Sequence, residues 1–250
     1  MAVYLGTVAL ETNRWAPGRI PTFRVSDYLR RCTEDGFDGL ELWENHFLLA
    51  QEVERQLLCH SGKIAIFNTY ASFEAGLTDS LRASAAAINR IAPQAIKFNL
   101  GSRREVDRQV DVLLAFADLL RPGVRLLCEC HSGTCMDTPE EAAAVFDRLD
   151  ERFGAIIHLK QTREFHKVRF DAYGSRICHL HMANWCGSEC EPMNASPELA
   201  DTFRYLRELG FSGTYTLEFT KGFRLKLPAL YENAVADLRW LKKQALCGKG

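Results

Sequence analysis

The residues best suited to chemistry lie in CECHSGTCMDTPEE, residues 128–141, where an apolar run ends. If that run is a strand, Glu129 and His131 share one face, because side chains alternate along a strand. A helix start follows at once in TPEE, which offers a capping threonine, a proline suited to the first helical turn and a capping-box glutamate. The pattern predicts a buried strand that carries a carboxylate and an imidazole to its C-terminal end, where parallel α/β folds place their reactive groups.

Eight short apolar runs recur along the chain, each followed by a longer amphipathic stretch. They are VYLGTVAL, DGLELW, KIAIFN, AIKFNL, RLLCEC, AIIHL, ICHLHM and TYTLEF. The stretches between them place apolar residues three and four apart and often end at glycine, as helices do. Eight strand–helix units in 250 residues predict an α/β fold, a (β/α)8 TIM barrel, with residues 1–250 as a single domain. A doubly wound open sheet is the alternative, but the chain contains no glycine-rich phosphate motif.

Charge and composition narrow the classes of partner. The formal charge of −1 excludes a broad basic surface, so we expect no nucleic-acid partner. The N-terminal AVYLGTVAL is interpreted as a strand, and no apolar run reaches the ~20 residues of a membrane helix, so we expect no membrane partner. Nine cysteines without a CxxC pair predict reduced thiols in a cytoplasmic protein rather than disulfides or a zinc site. The sequence leaves open whether the chain forms a homo-oligomer.

In such a barrel, the last inward-facing residue of each strand opens at the catalytic rim. The polar residues at these positions are Glu41, Asn68, Lys97 or Asn99, Glu129, His131, His158, His179, His181 and Glu218. Buried carboxylates and imidazoles that converge need a divalent cation or a tight hydrogen-bond network, because burying unpaired charge is costly.

Some of these residues also have a purely structural interpretation. His179 is interpreted as a hydrogen-bonded core residue, and Glu41 as a partner for Lys97 inside the barrel. Trp15 and two other tryptophans, Trp43 and Trp185, follow predicted strands one, two and seven. They would either wall a sugar-sized pocket or pack beneath the loops.

Four stretches share a pattern with known barrels: GFDGLEL at strand two, LLCECHSG with TPEEA at strand five, RICHLHMANW at strand seven and GFSGTYTLEF at strand eight. They resemble the xylose isomerase-like TIM barrels, the sugar phosphate isomerase/epimerase superfamily. The likeness covers nearly the whole chain, and its motifs distinguish the superfamily but not the substrate.

The resemblance implies a metal site. In that family one divalent ion sits on a Glu of strand five, an Asp of strand six, a His or Gln of strand seven and a Glu of strand eight. By position, Glu129, His181 and Glu218 match the first, third and fourth ligands. Strand six departs from the family, because His158 stands where the Asp is expected and Gln161 where a His is expected three residues later.

Replacing that carboxylate with an imidazole shifts the metal preference of the site away from Mg²⁺. We therefore expect one divalent ion, with Mn²⁺ favoured and Zn²⁺, Co²⁺ or Fe²⁺ as alternatives. Its ligands would be Glu129, His158, His181 and Glu218. The other outcome is that His158 turns away and leaves a weakened three-ligand site.

The resemblance also implies an activity, the isomerisation or epimerisation of a small sugar, keto-sugar or sugar derivative through an enediolate. Glu129 and Glu218 would be the catalytic base and acid, on opposite faces of the bound carbon chain, with the ion polarising the substrate carbonyl. The residues expected to bind the carbohydrate substrate are Glu41, His131, Trp15, Trp43, Asn68, Lys97 and Trp185.

Other functions stay open. A metal-dependent lyase or dehydratase acting on a keto-sugar or keto-acid begins with the same proton abstraction, so the sequence cannot separate it from isomerisation. A non-catalytic carbohydrate-binding barrel is a further alternative, in which the altered strand six reflects loss of the ion. A DNA-repair endonuclease of the same superfamily is disfavoured, because seven histidines provide few ligands for several zinc ions.

Overall fold

A computed structural model describes residues 1–160, 162–222 and 225–246, and eight parallel strands within them close a barrel. The barrel strands are β1 (Val3–Gly6), β2 (Gly39–Trp43), β3 (Ile64–Asn68), β4 (Ala95–Phe98), β5 (Arg125–Glu129), β6 (Phe153–His158), β7 (Ile177–Met182) and β10 (Thr214–Leu217). Their order around the barrel is β1-β10-β7-β6-β5-β4-β3-β2. The predicted (β/α)8 TIM barrel is therefore confirmed.

Helices connect the strands and cover the outside of the barrel. They are α1 (Leu29–Asp35), α2 (Asn45–Leu48), α3 (Glu52–His60), α4 (Asp79–Ile91), α5 (Val106–Ala117), α6 (Pro139–Phe146), α7 (Arg163–Tyr173), α8 (Pro197–Glu208) and α9 (Leu227–Leu246). The predicted capping box is present at α6, where Thr138 and Glu141 each accept a hydrogen bond from the other's backbone N–H. In the described ranges, every helix falls short of the length or the apolar character that a bilayer span requires.

Two elements differ from the sequence pattern. The first apolar run does not continue as a strand: β1 ends at Gly6, and Thr7–Leu10 form a buried 3₁₀ turn. A short antiparallel ribbon that the sequence did not predict follows β7, with β8 (Asn184–Cys186) paired to β9 (Glu189–Glu191). Its two-residue connection includes Gly187 at φ 61°, a left-handed conformation that glycine adopts without steric cost.

The interior of the barrel has two layers. Its lower part is filled by a small apolar cluster, in which Ile66, Ala95, Leu127 and Ile156 come from neighbouring strands. Two residues further along the same strands, the side chains become polar. They are Asn68, Lys97, Glu129 and His158. Because alternate residues share a face, the polar layer lies directly above the apolar one, at the C-terminal end of the strands.

The register of the strands brings the polar ends to the same height. His158 on β6 is level with His181 on β7, and His181 is level with Thr216 on β10. Glu218 follows Thr216 by two residues and therefore projects from the same face of β10's extension. Glu129 closes β5 on the other side of β6. Side chains far apart in sequence thus reach one end of the barrel.

Candidate functional site

Four side chains converge on one point at the C-terminal end of the barrel. Glu129, His158, His181 and Glu218 each offer a ligand atom, and these atoms all lie within 4.8 Å of one another. Oε1 of Glu129 lies 3.0 Å from Nε2 of His158 and 2.9 Å from Nδ1 of His181. Oε2 of Glu218 lies 3.4 Å from Nδ1 of His181 and 3.6 Å from Nδ1 of His158. The structure therefore brings together all four residues of the expected ligand set.

His181 is held in place from behind by Glu41. Nε2 of His181 lies 3.1 Å from Oε2 of Glu41, on the opposite side of the ring from the other acids. Burial raises the pKa of Glu41, but the positive charge and hydrogen bond of His181 outweigh it and lower the pKa to about 2. An ionised Glu41 accepts the Nε2 proton of His181, so an ion that displaces the other ring proton would meet Nδ1, which faces two carboxylates. Such an arrangement orients a histidine for metal binding.

Lys97 balances part of the acidic charge. Its ammonium lies 2.8 Å from Oε2 of Glu129, and Asn99 donates a hydrogen bond of 2.7 Å to the same oxygen. Burial raises the pKa of Glu129, but the charge of Lys97 holds it well below its usual range. The structure thereby corrects the expected pairing of Lys97 with Glu41, because β4 neighbours β5 and not β2.

The donor set fits one divalent cation. Three carboxylates, on Glu41, Glu129 and Glu218, outnumber the Lys97 ammonium and the positive charge of His181, which leaves one negative charge unbalanced in a buried layer. Oε2 of Glu218 has no hydrogen-bond partner among the described residues, although it is buried and faces both imidazoles. Two carboxylates and two imidazoles are ligands that Mn²⁺, Zn²⁺, Co²⁺ and Fe²⁺ accept. Gln161, which stands where the family pattern has a histidine after strand six, lies outside the described residues.

A layer of hydrogen bonds supports the cluster from below. The two ring nitrogens of His179 lie 2.7 Å from Oγ1 of Thr214 and 2.9 Å from Oγ1 of Thr216. Burial lowers the pKa of His179 to about 3, so its ring is neutral at physiological pH. Asn68 donates a hydrogen bond of 2.8 Å to Oε1 of Glu41. His179 therefore has the core role that its sequence position suggested, and Glu41 and Asn68 lie behind the ligands rather than on a cavity wall.

A cavity of about 770 Å³ opens above the cluster. Of the residues singled out from the sequence, those that line it are Trp15, Lys97, Asn99, Glu129, His131, His158, Trp185 and Glu218. Further lining residues that strand alternation did not reveal include Tyr70, Lys160, Phe165, Arg169 and Phe219. A cavity of this volume accommodates a small molecule.

Aromatic side chains form one side of the mouth. Trp15 is 66% exposed and Trp185 37% exposed. Both contact Phe219, with ring centroids 6.4 Å and 5.3 Å away respectively. Trp43, in contrast, is only 1% exposed and packs edge-on against His46, with centroids 5.4 Å apart. Two of the three tryptophans therefore border the cavity, and the third packs beneath the loops.

His131 lies past the end of β5, in the loop that precedes α6. Its Nδ1 lies 2.6 Å from the carbonyl oxygen of Ser132, and its ring meets that of His158 edge-on with centroids 6.2 Å apart. The strand alternation that grouped His131 with Glu129 ends at Glu129. His131 thus belongs to the cavity rim.

The cysteines contribute no ligand group to the described part of the chain. Cys128, Cys130 and Cys135 are buried near the end of β5. Burial raises the pKa of all three thiols, that of Cys130 to about 12. They are therefore protonated packing residues, as the sequence interpretation held.

No protein-family model matches the chain, and no curated protein does either. Solved structures do. One is a sugar phosphate isomerase/epimerase from Parabacteroides distasonis, with 11% identity, a TM-score of 0.61 and coverage of 98% of this chain and 94% of that chain. A second, an uncharacterized protein from the same organism, has 13% identity, a TM-score of 0.60 and coverage of 97% and 98%.

A third similar structure is the 4-hydroxy-tetrahydrodipicolinate synthase of Methylacidiphilum fumariolicum, with 12% identity, a TM-score of 0.54 and coverage of 97% of this chain and 74% of that chain. At such identities the likeness concerns the fold. The chain has the TIM-barrel fold of the sugar phosphate isomerase/epimerase, in agreement with the resemblance seen in the sequence.

Proposed function

We propose that this barrel is a metal-dependent isomerase or epimerase of a small sugar, keto-sugar or sugar derivative. The observation that carries the proposal is the convergence of Glu129, His158, His181 and Glu218 on one point at the floor of the cavity. The orphaned Oε2 of Glu218 and the uncompensated negative charge around His181 support a divalent ion there, Mn²⁺ first among the candidates.

The four side chains would hold the ion, with His181 oriented by Glu41. A divalent ion at this point would polarise a substrate carbonyl and stabilise the negative charge that develops when a neighbouring C–H proton leaves. Lys97 and Asn99 fix the outer oxygen of Glu129, so its inner oxygen keeps one direction. A fixed donor geometry lowers the reorganisation needed during reaction.

Proton transfer is assigned to the two carboxylates that line the cavity. Glu129 ends β5 and Glu218 follows β10, and two other strands separate these in the barrel. They can therefore approach a bound carbon chain from different sides. A proton removed by one carboxylate and returned by the other inverts a carbon, whereas return to the adjacent carbon isomerises the sugar.

The walls of the cavity suit a carbohydrate. Trp15, Trp185 and Phe219 offer flat apolar surfaces for the C–H face of a sugar, while polar groups occupy the floor.

A second property concerns the cellular compartment. The eight described cysteines are all free thiols. They support a cytoplasmic site of action, where thiols stay reduced.

The experiment measures incorporation of solvent deuterium into a panel of ketoses, with and without Mn²⁺. Exchange at the carbon next to the carbonyl should require the ion and disappear in Glu218→Gln. Glu34→Gln is the matched control, because Glu34 is an exposed glutamate paired with Arg30 on α1. Elemental analysis should find about one transition ion per chain in the control. Absence of both exchange and bound metal would refute the proposal in favour of a non-catalytic binding barrel.

Elimination of water is the second candidate, and one observation favours it. Lys97 lines the cavity as an ammonium beside Glu129, where it can donate a hydrogen bond to a leaving hydroxyl group. The first step, removal of a proton next to the carbonyl, is shared with isomerisation. Product analysis on ketoses and sugar acids separates the two, because a dehydratase forms a product lighter by one water and no epimer.

A further inference from the structure

The cavity contains a buried cation that the proposed mechanism does not use. Arg169 of α7 lines the cavity and is only 8% exposed. Its two Nη atoms donate to the backbone carbonyls of Phe165, at 3.1 Å, and Asp137, at 2.9 Å, and its guanidinium stacks on the Phe165 ring at 3.6 Å. Within residues 1–160, 162–222 and 225–246 it has no carboxylate partner, and its Nε has no hydrogen-bond acceptor. A buried guanidinium keeps its charge, and leaving that charge unpaired is costly.

A second cation lies on the same wall. Lys160 follows β6 by two residues, lines the cavity and is exposed. It forms no ion pair with any residue of the described ranges. The carboxylate on this wall belongs to Asp137, and it already contacts Arg103 at 3.4 Å and the backbone N–H of Gly133 at 3.0 Å. Two positive charges on this wall thus lack an acidic partner of their own.

The other charges of the cavity do not offset this pair. Lys97 is matched by Glu129 on the cavity floor, and Glu218 belongs to the proposed ion site. The aromatic mouth lies on the far side of β7, where Trp15, Phe219 and Trp185 carry no charge. The cavity therefore has a cationic wall at β5 and β6 and an apolar wall at β1 and β10.

We infer that the substrate is an anionic sugar, whose terminal carboxylate or phosphate is bound by Arg169 and Lys160 while its carbon chain lies between Glu129 and Glu218. This inference rests on the proposed function, because the reacting carbons are those at the ion site. An incoming anion supplies the partner that both cations lack, and hydrogen bonds between charged groups are roughly twice as strong as neutral ones. Arg169 and Lys160 are thus specificity determinants.

The test uses pairs of sugars that differ mainly in one charged group: D-fructose with D-fructose 6-phosphate, and D-glucose with D-glucuronate. Calorimetric titrations into the Mn²⁺-loaded protein measure the affinity for each. The charged member of at least one pair should bind about tenfold or more tightly than its neutral partner, as expected for a charge-assisted hydrogen bond. The pair that shows the preference distinguishes a phosphate site from a carboxylate site.

The substitution Lys160→Met should reduce that preference severalfold without affecting the affinity for the neutral sugar. Lys160 is exposed, so this variant should fold. Arg169→Met should abolish the preference, and Arg169→Lys should restore part of it. Lys167→Met is the matched control, because Lys167 is an exposed lysine of α7 paired with Asp171, and it should leave the preference unchanged.

Equal binding of both members of each pair by the unsubstituted protein, or a preference that survives Lys160→Met and Arg169→Met, would overturn the inference. The proposed function can fail separately. Mn²⁺-dependent deuterium exchange into neutral ketoses without any preference for anions would uphold the function and refute the inference. An anion preference without exchange in any sugar would refute the proposed function and uphold anion binding by Arg169 and Lys160.

Discussion

Oε2 of Glu41 lies 3.1 Å from Nε2 of His181, while Oε1 of Glu129 lies 2.9 Å from Nδ1 of the same ring. One imidazole therefore connects a fully buried carboxylate on β2 with the carboxylate that ends β5. The outer acid fixes the ring, and the inner nitrogen faces the proposed ion site. This relationship makes a residue that never reaches the cavity important for metal binding.

Substituting Glu41 should weaken metal binding without removing a ligand. In Glu41→Gln the neutral amide no longer stabilises the proton on Nε2 of His181, so the ring loses its fixed tautomer. We expect the affinity for Mn²⁺ to fall about 10- to 100-fold, as for other residues that support a metal-bound histidine. Titration followed by electron paramagnetic resonance measures the free ion. An unchanged dissociation constant would show that Glu41 does not orient His181.

Metal binding should stabilise the fold in a way that depends on Glu218. An ion that binds only the native state at 100 times its dissociation constant adds about 2.7 kcal/mol to the free energy of unfolding. Addition of Mn²⁺ should therefore raise the melting temperature of the unsubstituted protein, and a chelator should reverse the change. Glu218→Gln should respond much less, while Glu34→Gln should behave as the parent. An equal response in Glu218→Gln would place the ion elsewhere.

His166 should make the fold sensitive to acid. This histidine of α7 is fully buried, and desolvation lowers its pKa from 6.5 to about 4. The unfolded chain binds the proton first, so the stabilisation is complete above pH 6.5 and is lost as the pH falls toward 4. A shift of this size corresponds to roughly 3 kcal/mol. Urea unfolding at pH 7.5 and 4.5 should therefore show a weaker pH dependence in His166→Gln.

The matched control for this measurement is His60→Gln. His60 ends α3 and is exposed, with Nδ1 near the carbonyl oxygen of Gln56. The control should retain the full loss of stability between the two pH values. If His166→Gln also retains it, other groups must be responsible for the acid sensitivity.

Asp237 on α9 should position the aromatic mouth. Its carboxylate accepts hydrogen bonds from the backbone N–H of Met193 at 2.9 Å and from the hydroxyl of Thr220 at 2.7 Å. Met193 follows the β8–β9 ribbon and Thr220 adjoins Phe219, so one side chain joins both supports of the mouth. Asp237→Ala should lower the free energy of unfolding by about 1–3 kcal/mol, because buried donors lose their acceptor.

The same substitution should raise KM for the substrate more than it lowers kcat, since the ion ligands stay in place. Thr202→Ala, a buried threonine on α8, offers a comparison for general loss of stability. An Asp237→Ala variant with unchanged KM would show that the mouth does not depend on this link.

Strand alternation predicted which polar side chains face the barrel interior, and the family resemblance selected the ligand set from among them. Glu129, His158 and His181 lie at such inward positions, and local spacing alone predicts the capping box at Thr138. The same rule could not find Arg169, because it reaches the cavity from a helix outside the barrel.

The ion pairs inside the barrel and the course of the loops above it were harder to predict from the sequence. The choice of Glu129 as the partner of Lys97 follows from strand neighbours and register, which composition does not encode. Trp43 and Trp185 were both placed just after a strand by the sequence pattern, yet Trp43 ends β2 and is buried, whereas Trp185 lies in β8 and borders the cavity. Their difference depends on how the following segments fold back, a long-range property.

The two-layer interior divides stability from chemistry. The aliphatic base formed by residues such as Ile66, Leu127 and Ile156 contains no group that the reaction needs. A substitution of an acid or imidazole in the polar layer above would therefore alter reactivity while leaving the apolar layer in place. A barrel built this way can hold a histidine at the end of β6 without altering the apolar packing beneath it.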